Sequence, residues 1–197
     1  LGTIRKKYLD EKTGLFAITA WNMFDWTKVD DQHRLVTHNN MFLIGALRQT
    51  AEMARTLGRA SEAKGWQRWT DQLIERINRH LWSQERQAYI DSIHDDGVPS
   101  TVVSRPTNTL AVLYDVAPPA RLKKILPMVL GEQHRDVVPF GSPFALFYLL
   151  ECLVKLNRFD QVAALVRDEW GYMVDQGATT FWETLRKTRS HCHAWSA

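Results

Sequence analysis

The chain has 197 residues, of which 45% are hydrophobic and 24% charged, enough for one domain with a real core and too few for two. Its net charge of +3 comes from 25 basic and 22 acidic residues that are interspersed, without the basic stripe of a nucleic-acid binder. No apolar run is long enough to cross a bilayer, and two cysteines, Cys152 and Cys192, make no disulfide framework.

Residues 1–9 read as the end of a helix, closed by the turn Asp10-Glu11-Lys12-Thr13-Gly14. The charge cluster Arg5-Lys6-Lys7 lacks the following apolar stretch of a signal peptide. With no initiator Met, the chain is expected to be a piece of something longer. A cytoplasmic location is expected, and Cys152, in an apolar helical run, suits a reducing compartment as a small core residue. Residues 15–36 have no period but hold Trp21, Phe24, Asp25 and Trp26, so this loop should fold into the core edge or line a pocket.

Between Thr37 and Leu57 the residues Leu43, Leu47, Ala51, Ala54 and Leu57 mark one buried helical stripe, with Thr37 as N-cap and Gly58 as stop. A second helix over about 60–82, with Trp66, Trp69, Leu73, Ile77 and Leu81 on one face, should fold back on the first. Ala88-Tyr89-Ile90 reads as a short strand and His94-Asp95-Asp96-Gly97 as a turn. Helices are expected over about 105–114 and from Pro118-Pro119, the second kinked or ended early by Pro127. Residues 131–141 read as loop. Ser142-Pro143 opens a third pair, about 143–156 and 159–171, whose first helix is apolar nearly all round and should be buried on most sides. Gly171 and Gly177 then bracket a loop, and the basic run Arg186-Lys187-Thr188-Arg189 reads as a solvated helix face.

Such an array of helix hairpins can stack as an open solenoid or curl into a toroid with a site at one mouth. A solenoid should show similar repeats, and the pairs are only loosely alike. A toroid should collect aromatic and acidic side chains in loops at one end, and here Trp21, Trp26, Trp182, Trp195, Asp25 and Glu183 do lie in the irregular loops. The toroid is favoured.

Sugar rings present C–H faces that lie on flat aromatic rings and hydroxyls that need polar partners. Glycosidic cleavage uses two carboxyl groups, one as acid and one as base or nucleophile, with pKa values pushed apart. Glu183, beside Trp182, is the base candidate; the competing structural reading is a capping box, Thr180-x-x-Glu183, at a helix start. Asp25, between Phe24 and Trp26, is the next carboxylate in an aromatic setting; otherwise it is a loop Asp that satisfies nearby backbone N–H groups. His193 could donate to a sugar hydroxyl or be a satisfied core histidine. His191-Cys192-His193 offers two imidazoles, an incomplete metal set, so no metal and no cofactor is expected. There is no nucleophile elbow and no phosphate loop.

The stretches Phe24-Asp25-Trp26-Thr27, His38-Asn39-Asn40-Met41-Phe42, Val138-Pro139-Phe140-Gly141-Ser142-Pro143-Phe144, Ala178-Thr179-Thr180-Phe181-Trp182-Glu183 and Ser190-His191-Cys192-His193-Ala194-Trp195-Ser196-Ala197 together resemble the catalytic domain of bacterial α-L-rhamnosidases. The resemblance spans essentially the whole chain. It implies an all-α fold, a helix-hairpin array forming part of an (α/α)6 toroid, and inverting hydrolysis of terminal α-L-rhamnosides. It makes Glu183 the general base and places Trp26 and His193 in the sugar subsite, with Trp182 and Asp25 beside them. The family's general acid lies in an acidic motif upstream of the Asp-Trp loop, and nothing before Asp25 matches it. Residues 1–197 are therefore expected to be a single domain that is the C-terminal part of a larger catalytic domain, inactive alone. An exposed apolar flank could pair it with a second copy. The expected partner is a rhamnose-containing glycoside, with no nucleic acid and no membrane. Two alternatives stand: another (α/α)6 carbohydrate-active enzyme, and a non-catalytic helical-hairpin interaction module.

Overall fold

The structure, a computed structural model, describes residues 1–132, 136–186 and 190–196. A short helix α1 (Gly2–Lys7) leads into the aromatic loop. Among the described residues three helix hairpins follow: α2 (Thr37–Thr56) with α3 (Ala60–His80), α4 (Arg105–Leu113) with α5 (Pro119–Val129), and α6 (Pro143–Lys155) with α7 (Phe159–Asp175). The first member of each pair lies in an inner row, α2 against α4 and α4 against α6, while α3, α5 and α7 each pack on the outside of their own partner. None of these helices is long and apolar enough to cross a membrane.

Residue chemistry explains the two rows. Helix α2 buries Met41, Ile44, Leu47 and Ala51 on one stripe, and α3 answers with Trp69, Leu73 and Ile77. Gly45 lets the Tyr114 ring approach the α2 backbone; a Cβ there would lie 2.7 Å from that ring. In α4 every residue from Pro106 to Val112 is buried, as an inner helix covered on several sides requires. In α7 only Met173 is buried, as suits an outer helix.

Among the described residues, six two-residue strands tie the ends of the hairpins. β1 (Leu35–Val36) pairs antiparallel with β4 (Ser92–Ile93), and β2 (Trp82–Ser83) with β3 (Ala88–Tyr89). β5 (Val103–Ser104) pairs parallel with β6 (Val137–Val138). Because β1 and β5 run directly into α2 and α4, this stitching gathers the N-termini of inner helices at one end. Asp91 fastens the joint: its carbonyl accepts from the Thr37 amide at 2.8 Å, and its carboxylate accepts from the Ser104 hydroxyl at 2.6 Å. Burial pushes the Asp91 carboxyl up to about 6 against those hydrogen bonds.

Several expectations need correction. No helix starts at Thr180, because residues 181–186 are irregular and the Thr180 hydroxyl donates to the His191 carbonyl; the capping box is not formed. Helix α7 runs through Gly171 to Asp175, and the chain breaks at Gly177, whose φ is +80°. Helix α6 is not buried on most sides: Leu146, Leu149 and Cys152 are buried, but Phe147 is 53% exposed. With Phe159, Val166 and Val174 of α7 it leaves the last hairpin with an apolar exposed surface. Of the basic run, Arg186 is not helical but pairs with Glu169 at 2.6 Å, and Lys187, Thr188 and Arg189 lie outside the described residues.

Candidate functional site

The aromatic loop before α2 is anchored before it is displayed. Leu15 and Phe24 sit in the core, and Phe24 meets Phe42 edge-on at 5.2 Å and Tyr148 at 5.6 Å. The Asn22 carbonyl accepts from His38 Nε2 at 2.7 Å, and the Asn22 amide donates to the Ile18 and His33 carbonyls. With its apolar anchors and backbone groups satisfied, the loop can hold other large side chains outward.

Asp25 locks this loop to the start of α6. One carboxylate oxygen accepts from the Trp26 amide at 2.8 Å and the Ser142 hydroxyl at 2.5 Å, and the other accepts from the Gly141 amide at 2.8 Å. Ser142 in turn caps α6 by accepting from the Ala145 amide at 3.2 Å. Gly141 must be glycine, because a Cβ would collide with the Trp26 carbonyl oxygen. Asp25 is 3% exposed, and burial pushes its carboxyl pKa up while these hydrogen bonds pull it down.

The C-terminal segment closes the hollow from the other side. The Glu183 amide donates to the Ser190 carbonyl at 3.1 Å and the His193 amide to the Phe181 carbonyl at 2.9 Å, so the chain doubles back on itself. The Leu185 amide donates to the Gly141 carbonyl at 3.1 Å, which joins this segment to the Asp25 lock. Glu183 and His193 are thereby side by side, with Nδ1 to Oε1 3.8 Å, beyond direct hydrogen-bond reach.

Together these pieces enclose a cavity of about 440 Å³ lined by three indoles, Trp21, Trp26 and Trp195, by Met23, Phe24 and Phe144, and by the polar groups of Ser142, Glu183 and His193. Trp21 and Trp195 are 71% and 73% exposed, a heavy apolar display for a surface at rest. Glu183 is the one carboxylate on the cavity wall among the described residues. The arrangement can stack a ring between indoles while one carboxylate and one imidazole address its polar edge.

Of the residues singled out in the sequence, Trp26, Glu183 and His193 share this cavity. Asp25 lies beneath it, its carboxylate committed to the lock. Trp182 faces away, perpendicular to Tyr172 at 6.4 Å and tilted against His191 at 5.0 Å. His191 and His193 therefore diverge. Met23, Ser142 and Phe144 join the wall without having been candidates, beside Phe24 of the aromatic loop; for Ser142 and Phe144 the signal was the Ser-Pro helix start. A separate group of metal-type donors, Asp30, His33 and His94, lies outside this cavity.

Comparison with known proteins agrees with this architecture. The sequence profile of the bacterial alpha-L-rhamnosidase 6 hairpin glycosidase domain matches residues 3–197. The structure is similar to that of the GH78 family rhamnosidase of Bacillus sp. GL1, with a TM-score of 0.89 and 36% identity, covering 98% of this chain and 21% of that one. It also resembles a rhamnosidase from Klebsiella oxytoca with rhamnose bound, with a TM-score of 0.72 and 20% identity, over 95% of this chain and 37% of that one, a likeness of fold. The chain thus spans about a fifth and under two fifths of the length of these two structures. No curated protein matches it. The helix hairpins of this structure accord with a domain described by its hairpins, and the chain belongs to the bacterial α-L-rhamnosidase six-hairpin glycosidase domain family.

Proposed function

We propose that this chain is the part of an inverting α-L-rhamnosidase that carries the general base, Glu183, and most of the wall of the sugar subsite. The observation that supports it most is the cavity itself, where Glu183 stands among three exposed indoles and His193. L-Rhamnose has a methyl group in place of a 6-hydroxyl, so it suits a wall with more aromatic surface than polar groups. In this reading Trp21, Trp26 and Trp195 stack on the C–H faces, and His193 hydrogen-bonds a ring hydroxyl. Glu183 holds a water on the face of the anomeric carbon opposite the leaving oxygen. As the glycosidic bond breaks, the carboxylate takes a proton from that water, whose oxygen bonds to the anomeric carbon with inversion.

The leaving oxygen needs a proton from a second carboxyl group about 6.5–9.5 Å from the base in an inverting enzyme. Asp25 does not suit that role, since both its oxygens are held beneath the wall. The acid is assigned to residues preceding Leu1 in a longer polypeptide, which makes the 197-residue chain a sugar-binding but inactive unit. The test is to supply an aryl α-L-rhamnoside to this chain and to the longer polypeptide, following release by absorbance and the first-formed sugar by proton NMR. The expected result is hydrolysis by the longer polypeptide alone, with the β-anomer appearing first. First appearance of the α-anomer would overturn inversion, and turnover by the short chain would overturn the missing acid.

A further inference from the structure

Asp30 and His33 leave the aromatic loop three residues apart, and His94 comes from the turn after β4. The two imidazoles stack, with centroids 4.1 Å apart and planes at 23°, and both aim Nε2 at the Asp30 carboxylate. His33 Nε2 is 3.1 Å from one oxygen and His94 Nε2 2.8 Å from the other. All three donor atoms lie within 4.8 Å of one another. Donor atoms held about 2.0–2.1 Å from a tetrahedral ion are about 3.3 Å apart, so small adjustments would seat a metal among them.

We infer that Asp30, His33 and His94 form a binding site for one late first-row divalent cation of the zinc type, with water completing the coordination. Two imidazoles and a carboxylate suit such an ion and not calcium or magnesium, which take oxygen cages. The surroundings supply what a ligating carboxylate requires. The hydroxyls of Ser92 and Ser100 donate to the Asp30 oxygen that faces His94, and the Asp30 amide donates to the buried Asp91 carboxylate at 3.3 Å, fixing the loop at the ligand. His94 also lines a polar hollow of about 690 Å³, so the cluster is open to ions from solvent.

The site is structural and not part of the sugar cavity, whose wall includes none of its three residues. Its effect is to clip the loop bearing Trp21 and Trp26 to the β4 turn. The clip and the rhamnosidase reading are independent, and either stands without the other.

The experiment is titration of the metal-free 197-residue chain with Co²⁺, read by visible absorption, and with Zn²⁺, read by calorimetry and thermal melting. Wild type is expected to bind one ion per chain, to show a cobalt d–d band and to melt at higher temperature with zinc. His33→Ala and His94→Ala should weaken binding by at least about tenfold and lose the zinc-dependent rise in melting temperature. His191→Ala, which alters the other histidine-rich segment, should bind as wild type does. Circular dichroism checks that each variant folds, and the wild-type titration decides the matter if one does not. Absence of stoichiometric binding by wild type would overturn the site, as would binding that survives both loop variants or is lost in His191→Ala.

Discussion

The Asp25 carboxylate and the Ser142 hydroxyl meet at 2.5 Å across 117 positions of sequence, and the candidate cavity rests on that bond. Ser142 caps α6, Gly141 beside it donates to the same carboxylate, and Trp26 next to Asp25 forms part of the wall. Asp25→Asn puts an amide N–H₂ where one oxygen now accepts, opposing a donor inside a dry joint. A loss of about 2 kcal/mol in stability is expected, by denaturant unfolding, together with weaker sugar binding from a loosened Trp26. Unchanged stability would show that the joint does not depend on the ionised carboxylate's accepting capacity.

Gly141→Ala attacks the same joint through sterics. The added methyl has backbone on its near side, the Trp26 carbonyl, and cannot be relieved by a rotamer change. A cost of about 1–3 kcal/mol is expected in the same unfolding measurement. Gly65, where an added methyl would meet nothing within 4 Å, serves as the comparison: Gly65→Ala should be neutral or stabilising.

His38 gives the fold a definite pH response. It is buried, donates to the Asn22 carbonyl and packs on Phe24, and burial holds its pKa down at about 4. The unfolded chain therefore binds the proton that the folded chain refuses between about pH 6.5 and about pH 4. The contribution is complete above the unfolded value and is lost as pH falls. Buried Asp25, Asp31 and Asp91, with raised values, act in the opposite sense, so the comparison must be with His38→Gln. Between about pH 7.5 and about pH 4.5 wild type should lose about 2–3 kcal/mol more than the variant. Equal losses would contradict the buried neutral imidazole.

The indole wall makes a prediction of its own. Trp26→Ala and Trp195→Ala each remove a large exposed ring from the cavity without opening the core. Each should weaken L-rhamnose binding by about tenfold, read by calorimetry, and leave the melting temperature nearly unchanged. Trp182→Ala, whose ring lies against Tyr172 and His191 instead, should do the reverse.

The helices were legible because their apolar residues repeat every three or four positions, as Leu43, Leu47, Ala51 and Ala54 do, and because Ser142-Pro143 and Gly58 punctuate them. The strands were mostly not, since two residues such as Leu35-Val36 carry no period. The shape of the site was legible only in part. Phe24-Asp25-Trp26 announced an aromatic loop, but nothing local to Asp25 says that its partners are Gly141 and Ser142. Phe181-Trp182-Glu183 looked like one cluster, yet Trp182 lies against Tyr172 and His191 while Glu183 joins the cavity wall. The Asp30-x-x-His33 spacing is visible, but its third member, His94, arrives through the pairing of β1 with β4.

Glu183 as the base is the claim on which the proposed chemistry turns. The measurement is steady-state hydrolysis of an aryl α-L-rhamnoside by the longer polypeptide and by its Glu183→Gln variant. The expected result is a kcat lower by about 10²–10⁴-fold with KM little changed, because a proton acceptor is lost while the wall remains. A variant that keeps wild-type kcat would contradict the assignment.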